Sequence, residues 1–86
     1  MSTTAALNGV NFLHSEIETG LTLVRIAQSA KRADKRNRNL VNARKAYETV
    51  LRFMPAVVLT TSQSRHMRNK LERLKKELQT LGEDVE

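Results

Sequence analysis

The sequence predicts an all-α protein folded as an up-down-up antiparallel three-helix bundle. Three observations predict it. Apolar residues recur at three- and four-residue steps in three successive segments, which is the mark of amphipathic helices. Helix breakers are scarce, with three Gly and one Pro in 86 residues. The abundant residues, Ala, Leu, Lys, Arg and Glu, are good helix formers, and the connections between periodic segments are short enough to make neighbours antiparallel.

The first helix is expected over about residues 5–33, starting within Thr3 to Asn11. Val10, Leu13, Ile17, Gly20, Val24 and Ala27 form its main stripe. Leu23, Ile26, Ala30 and Ala33 add a second, so the apolar face is wide enough to meet two partners. Gly20 costs ~1 kcal/mol relative to Ala inside a helix, and close approach of another helix explains its presence there.

Asp34 to Asn39, DKRNRN, reads as the first turn, with Asn37 or Asn39 capping the next helix. That second helix is expected over about 38–54, on the stripe Leu40, Ala43, Tyr47, Val50, Met54. Pro55 ends it, because proline removes a donor and disfavours helical geometry in the residue before it.

Pro55 can also open the third helix, expected over about 56–81. A start at Thr60, with Thr60 and Gln63 as a capping box, is the alternative, because the run VVLTT is β-branched. The stripe Val57, Thr60, Ser64, Met67, Leu71, Leu74, Leu78, Leu81 becomes an unbroken heptad seam from Met67. Gly82 stops the helix and leaves a frayed acidic tail at 83–86. At ~1.5 Å per residue the outer helices reach ~35–40 Å and the middle one ~25 Å, so the outer two overhang it.

Eighty-six residues make one domain with a thin core, since a chain of this size buries only roughly 60–65% of its unfolded surface. With no Trp, two Phe and one Tyr, that core is aliphatic. The absence of Cys excludes disulfides and thiolate metal sites. No signal peptide is read at the N-terminus, and no apolar run approaches the ~20 residues that span a bilayer. A cytoplasmic location is the expectation.

The net charge of +6 is unevenly placed. Residues 25–52 carry nine Lys/Arg against two acids, and the last ten residues carry four acids and no base. A basic middle between acidic ends points to an anionic partner, or to solubility with attraction between the ends and the middle.

No constellation for bond-making chemistry is visible. His14 and Glu18 lie one turn apart, but two ligands make only half a metal site. Glu16 and Glu18 are two apart and point to different helix faces, and no Gly-rich phosphate loop is present. The chain is expected to be no enzyme and to need no cofactor or metal.

Two groups of basic residues remain. Arg44, Arg52, Arg68 and Lys75 flank the apolar stripes of helices 2 and 3, and with Leu51 they outline a groove for a protein or peptide ligand. Lys31, Arg32, Lys35, Arg36 and Arg38 cluster around the first turn as an anion patch. Nucleic-acid association through that patch is the alternative function, although no aromatic sits among these charges to stack on bases. The heptad seam of helix 3, with the surplus stripe of helix 1, also allows a homodimer.

Ala43, Tyr47, Val50 and Pro55 are similar to the second helix of a tetratricopeptide repeat. Leu23, Val24 and Ala27, then Ala43, Tyr47, Val50 and Phe53, then LERLK at Leu71 to Lys75, resemble the three helices of the microtubule-interacting and trafficking (MIT) domain. Leu71 stands where that family tends to have Ala, and no tyrosine lies in the third helix. The resemblance implies a module that holds a partner's short segment, often acidic and Leu-rich, in the helix 2/helix 3 or helix 1/helix 3 groove.

Overall fold

In a computed structural model, described for the backbone of residues 3–85 and the side chains of residues 8–85, the chain forms three α-helices and no strand among those residues. They are α1, Thr3–Ser29; α2, Ala33–Phe53; and α3, Thr61–Thr80. A single 3-10 turn, Met54–Ala56, follows α2.

Side-chain pairs fix the topology. Phe12 meets Phe53, and Gly20 faces Ala43 and Ala46, so α1 and α2 run antiparallel. His14 meets His66, Glu18 pairs with Lys70, and Gly20 faces Leu74, so α1 and α3 run parallel. The three-helix bundle is therefore up-down-up. Its long axis extends 46 Å against 19 and 17 Å across.

The core is the meeting of the three expected stripes. Leu13, Ile17, Val24 and Ala27 of α1 are fully enclosed, as are Ala43 and Val50 of α2 and Leu74 and Leu78 of α3. Leu40, Tyr47, Met67 and Leu71 complete it. No described polar or charged residue is buried, so burial of aliphatic surface is the main stabilising term. Gly20 sits where α1 crosses both partners. A Cβ there would stand 2.7 Å from Leu74 Cδ2 and 3.5 Å from the Ala46 Cβ. The glycine is a close-approach position. The second stripe expected for α1 outruns the helix, which ends at Ser29 and not at residue 33: on α1 Leu23 is half-buried and Ile26 exposed, while Ala30 is half-buried in the turn and Ala33 is exposed at the start of α2.

Several expectations about the elements are corrected. DKRNRN is not a turn. The turn is residues 30–32, and Asp34 to Asn39 form the first turns of α2. Lys and Arg are good helix formers and Asp34 in the first turn complements the helix dipole, so a polar segment exposed from Asp34 to Arg38 is helical here. Neither Asn37 nor Asn39 caps α2. Its N-cap is Arg32, without a side-chain cap, and Asn39 Nδ2 instead donates to the Lys35 carbonyl at 2.9 Å.

The start of α3 is Thr61, not residue 56. Thr60 and Gln63 form both bonds of the capping box: the Gln63 amide donates to Thr60 Oγ1 at 3.1 Å, and the Thr60 amide to Gln63 Oε1 at 2.9 Å. Val57 is extended, as its β-branch favours. Consequently only α1 overhangs: at ~1.5 Å per residue it reaches ~40 Å, against ~30 Å for α2 and α3.

The tail does not fray between residues 83 and 85. Gly82, at φ 91°, reverses the chain, and the Glu83 amide donates to the Leu78 carbonyl at 2.9 Å. Val85 is only 8% exposed and joins the core. Glu86, the last residue of the expected frayed tail, lies outside the described residues.

Candidate groove between helices 2 and 3

The third helix packs less fully on α2 than α1 does, and the gap opens at the Pro55 end. There α2 stops at Phe53, the chain passes through Met54–Ala56, and residues 57–60 form a non-helical connection, extended at Val57 and Thr60, until α3 begins. The result is a cleft of about 500 Å³. Leu51, Met54, Val57, Leu59 and Leu71 supply its apolar lining, and Arg68 stands at its rim. Leu51 is 47% exposed although it lies beside the core, because no helix covers it. Arg68 makes no ion pair among the described residues. A polar hollow of similar size adjoins the cleft through Ser64 and Arg68, and adds Arg65, Thr61 and Asn69.

Of the five residues expected at this groove, Leu51 and Arg68 line the cleft. Arg44 lies toward the opposite end of the same α2/α3 seam. Its Nη1 is 3.2 Å from Glu83 Oε1 and its Nε 3.7 Å from Glu48 Oε1. Glu83 Oε1 is enclosed and receives no aligned hydrogen bond, so the Arg44 contact is an ion pair. Lys75 is half-buried on α3, one turn beyond Leu71 on the side that faces α2. Arg52 stands apart. It shares a shallow surface with Lys45, Glu48 and Thr49 and follows Arg38 and Lys45 at seven-residue steps along the outward face of α2. Its place next in sequence to Leu51 hid this, because adjacent helical residues point about 100° apart.

Sequence reasoning did not foresee Met54, Val57 and Leu59 as groove residues. All three are in segments expected to be helical, and the non-helical 57–60 connection is what brings Val57 and Leu59 beside Leu51. Between α2 and the tail, Tyr47 is 6% exposed. Burial, and secondarily the Glu72 carboxylate, push its phenol above the usual 10.0.

Lys31, Arg32, Lys35, Arg36 and Arg38 are all exposed and gather around the 30–32 turn and the start of α2. Among the described residues, Arg32 is the one of these with an ion pair, to Asp34 at 3.3 Å. The patch and the cleft are at opposite ends of α2, some 20 residues or ~30 Å apart.

On the α1/α3 side, His14 and His66 meet edge to face with ring centroids 5.5 Å apart, a contact that helix-face spacing within one segment cannot reveal. One turn further, Lys70 donates to Glu18. That contact, more than the neighbouring charges, holds the Glu18 carboxyl below its usual 4.5. Among the described residues, no three His, Cys, Asp or Glu side chains converge as metal ligands, and no helix is long and apolar enough to cross a membrane. In comparison with known proteins the chain matches no family model, no curated relative and no solved structure, so its resemblance to the MIT domain rests on the residues that carry it.

Proposed function

We propose that this chain is a non-catalytic protein-interaction or assembly module, acting in the cytoplasm, that holds a short acidic amphipathic segment of a partner in the groove between α2 and α3. The observation that carries this reading is the pairing of an uncovered apolar floor at Leu51, Met54 and Val57 with the unpaired Arg68 guanidinium at its edge. An apolar helix face or extended stretch satisfies the floor, and an acidic side chain on the same segment answers Arg68. The ion pair at the rim sets orientation and on-rate more than affinity. The residues that resemble the MIT domain support the same reading, since that family holds ligands in such a groove.

The alternative is a basic nucleic-acid-associated protein. The exposed charges at Lys31, Lys35, Arg36 and Arg38, which make no ion pair among the described residues, favour it. The two readings separate cleanly because their residues are at different ends of α2. Wild-type chain, Leu51→Asp, Arg68→Glu and the Lys31/Arg32/Arg36→Glu triple variant are compared in partner capture and in a nucleic-acid shift assay at two salt concentrations. The groove reading expects capture to fail with Leu51→Asp and Arg68→Glu and to survive the triple change. Shifts that weaken steeply with salt and vanish in the triple variant, with capture unaffected by Leu51→Asp, support the alternative. Concentration-dependent mass that Leu51→Asp abolishes makes the occupant a second copy of the chain.

A further inference from the structure

The α2/α3 groove already contains one acidic segment, and it belongs to this chain. After α3, Gly82 takes a positive φ of 91° and turns the backbone over the end of the helix. The Gly82 amide donates to the Gln79 carbonyl at 3.0 Å and the Glu83 amide to that of Leu78 at 2.9 Å. The reversed segment then makes three contacts of different kinds. The Glu83 carboxylate lies 3.2 Å from Arg44 Nη1. Gln79 Nε2 donates to the Val85 carbonyl at 2.8 Å. The Val85 side chain, 8% exposed, seats beside Tyr47 and Leu51.

These contacts define a reading frame. An acid binds Arg44, the next residue (Asp84) stays exposed, and an aliphatic side chain two positions after the acid enters the seam. The direction is also fixed. From Arg44 to Leu51 the tail runs with α2 and against α3, toward the open cleft. Leu51 lines both the tail's seat and the cleft, so the two are one continuous groove with its Pro55 half uncovered.

We propose that this groove reads an extended acid–x–aliphatic segment supplied by a partner protein, and that residues 83–85 are its intramolecular stand-in, displaced when the partner binds. The inference rests on the groove reading above and specifies its ligand: an extended strand in the tail's register, with further apolar residues entering the cleft beside Arg68. A tethered occupant competes at an effective concentration of order mM, so a segment occupying the groove nine-tenths of the time weakens an incoming ligand about tenfold.

The test uses the acetylated peptide LGEDVE, the sequence of residues 81–86, as the probe. It is titrated into isotope-labelled full-length chain, with binding read from amide shifts at Arg44, Tyr47 and Leu51. Wild type is compared with Glu83→Lys/Val85→Asp, in which the tail no longer fits its own groove. Circular dichroism verifies that the variant keeps its helices. The expected result is about tenfold tighter binding to the variant, mapped to those three amides. Adding Arg44→Glu abolishes it, and a probe carrying Lys in place of the Glu that matches Glu83 restores it. Equal affinity for wild type and variant, no shift in the variant up to roughly 10 mM probe, or shifts confined to Lys31–Arg38 would overturn the inference. If Leu51-dependent partner capture persists in that case, the groove reading survives and only the tail's role is lost.

Discussion

Substituting Gly20 by alanine sets two known effects against each other. In an exposed helix interior the change stabilises by about 1 kcal/mol, because glycine is the poorer helix former. Here the new methyl group would stand 2.7 Å from Leu74 Cδ2, well inside van der Waals contact. Leu74 is fully enclosed, so its δ-methyl must turn aside against packed neighbours to make room. Overpacking of this kind costs about 1–3 kcal/mol. The Ala46 Cβ at 3.5 Å and the Ala43 carbonyl oxygen at 3.6 Å are in ordinary contact and add little. The expected net effect is a loss of about 1 kcal/mol, the overpacking cost less the propensity gain.

Leu74→Val removes the obstructing methyl at a cost of about 1 kcal/mol for one buried methylene. In that background Gly20→Ala should gain about 1 kcal/mol, leaving a coupling of about 2 kcal/mol between the two sites. Urea unfolding of the four proteins, followed by circular dichroism at 222 nm, measures each term. Stabilisation of the wild-type background by Gly20→Ala, or the same effect in both backgrounds, would refute the close packing of α1 on α3.

Thr60→Ala should destabilise by about 1 kcal/mol in the same unfolding assay, through loss of the capping box that starts α3; an unchanged midpoint would count against that start. Glu18→Gln should cost no more than about 1 kcal/mol near neutral pH, because its ion pair with Lys70 is exposed and screened. Since the Glu18 pKa is lowered in the folded state, this contribution is present above its usual 4.5 and is lost as pH falls through the lowered value. Wild-type and Glu18→Gln stabilities should therefore converge in acid and also in 1 M salt. Asn37→Pro should reduce helix content and stability, because residue 37 is inside α2 and its amide is needed for the helix; if it lay in a turn, the change would be tolerated.

The helices and their inward stripes were legible because periodicity survives any detail of packing. Leu13, Ile17, Val24, Ala27, Leu40, Tyr47, Val50, Met67, Leu71, Leu74 and Leu78 all occupy the core that their spacing predicts. Boundaries were less legible where local signals conflict with context. DKRNRN is polar on every side, which a pattern of apolar spacing reads as a turn, yet nothing in it prevents helix and Asp34 favours it. At Pro55 the sequence permits two starts for α3, and the reciprocal Thr60–Gln63 bonds decide between them.

The groove was legible in two of its residues, Leu51 and Arg68, and hidden in the rest. Met54, Val57 and Leu59 reach the cleft through the 3-10 turn and the non-helical connection after it, which helical spacing cannot describe. Val85 is a lone aliphatic residue in an acidic tail, and its seat exists only once α2 and α3 have packed. His14 and His66, 52 residues apart, meet only through the parallel register of α1 and α3.

Quantitative partner capture by the wild-type chain, Leu51→Asp and the Lys31/Arg32/Arg36→Glu triple variant most directly tests whether the α2/α3 groove is the working surface. Leu51 is 47% exposed, so its substitution should leave the fold intact, which thermal unfolding verifies alongside. Binding to a purified partner, and to the acidic amphipathic segment mapped within it, should be lost with Leu51→Asp and retained by the triple variant. Retention of both by Leu51→Asp, with loss in the triple variant, would move the function to the opposite end of α2.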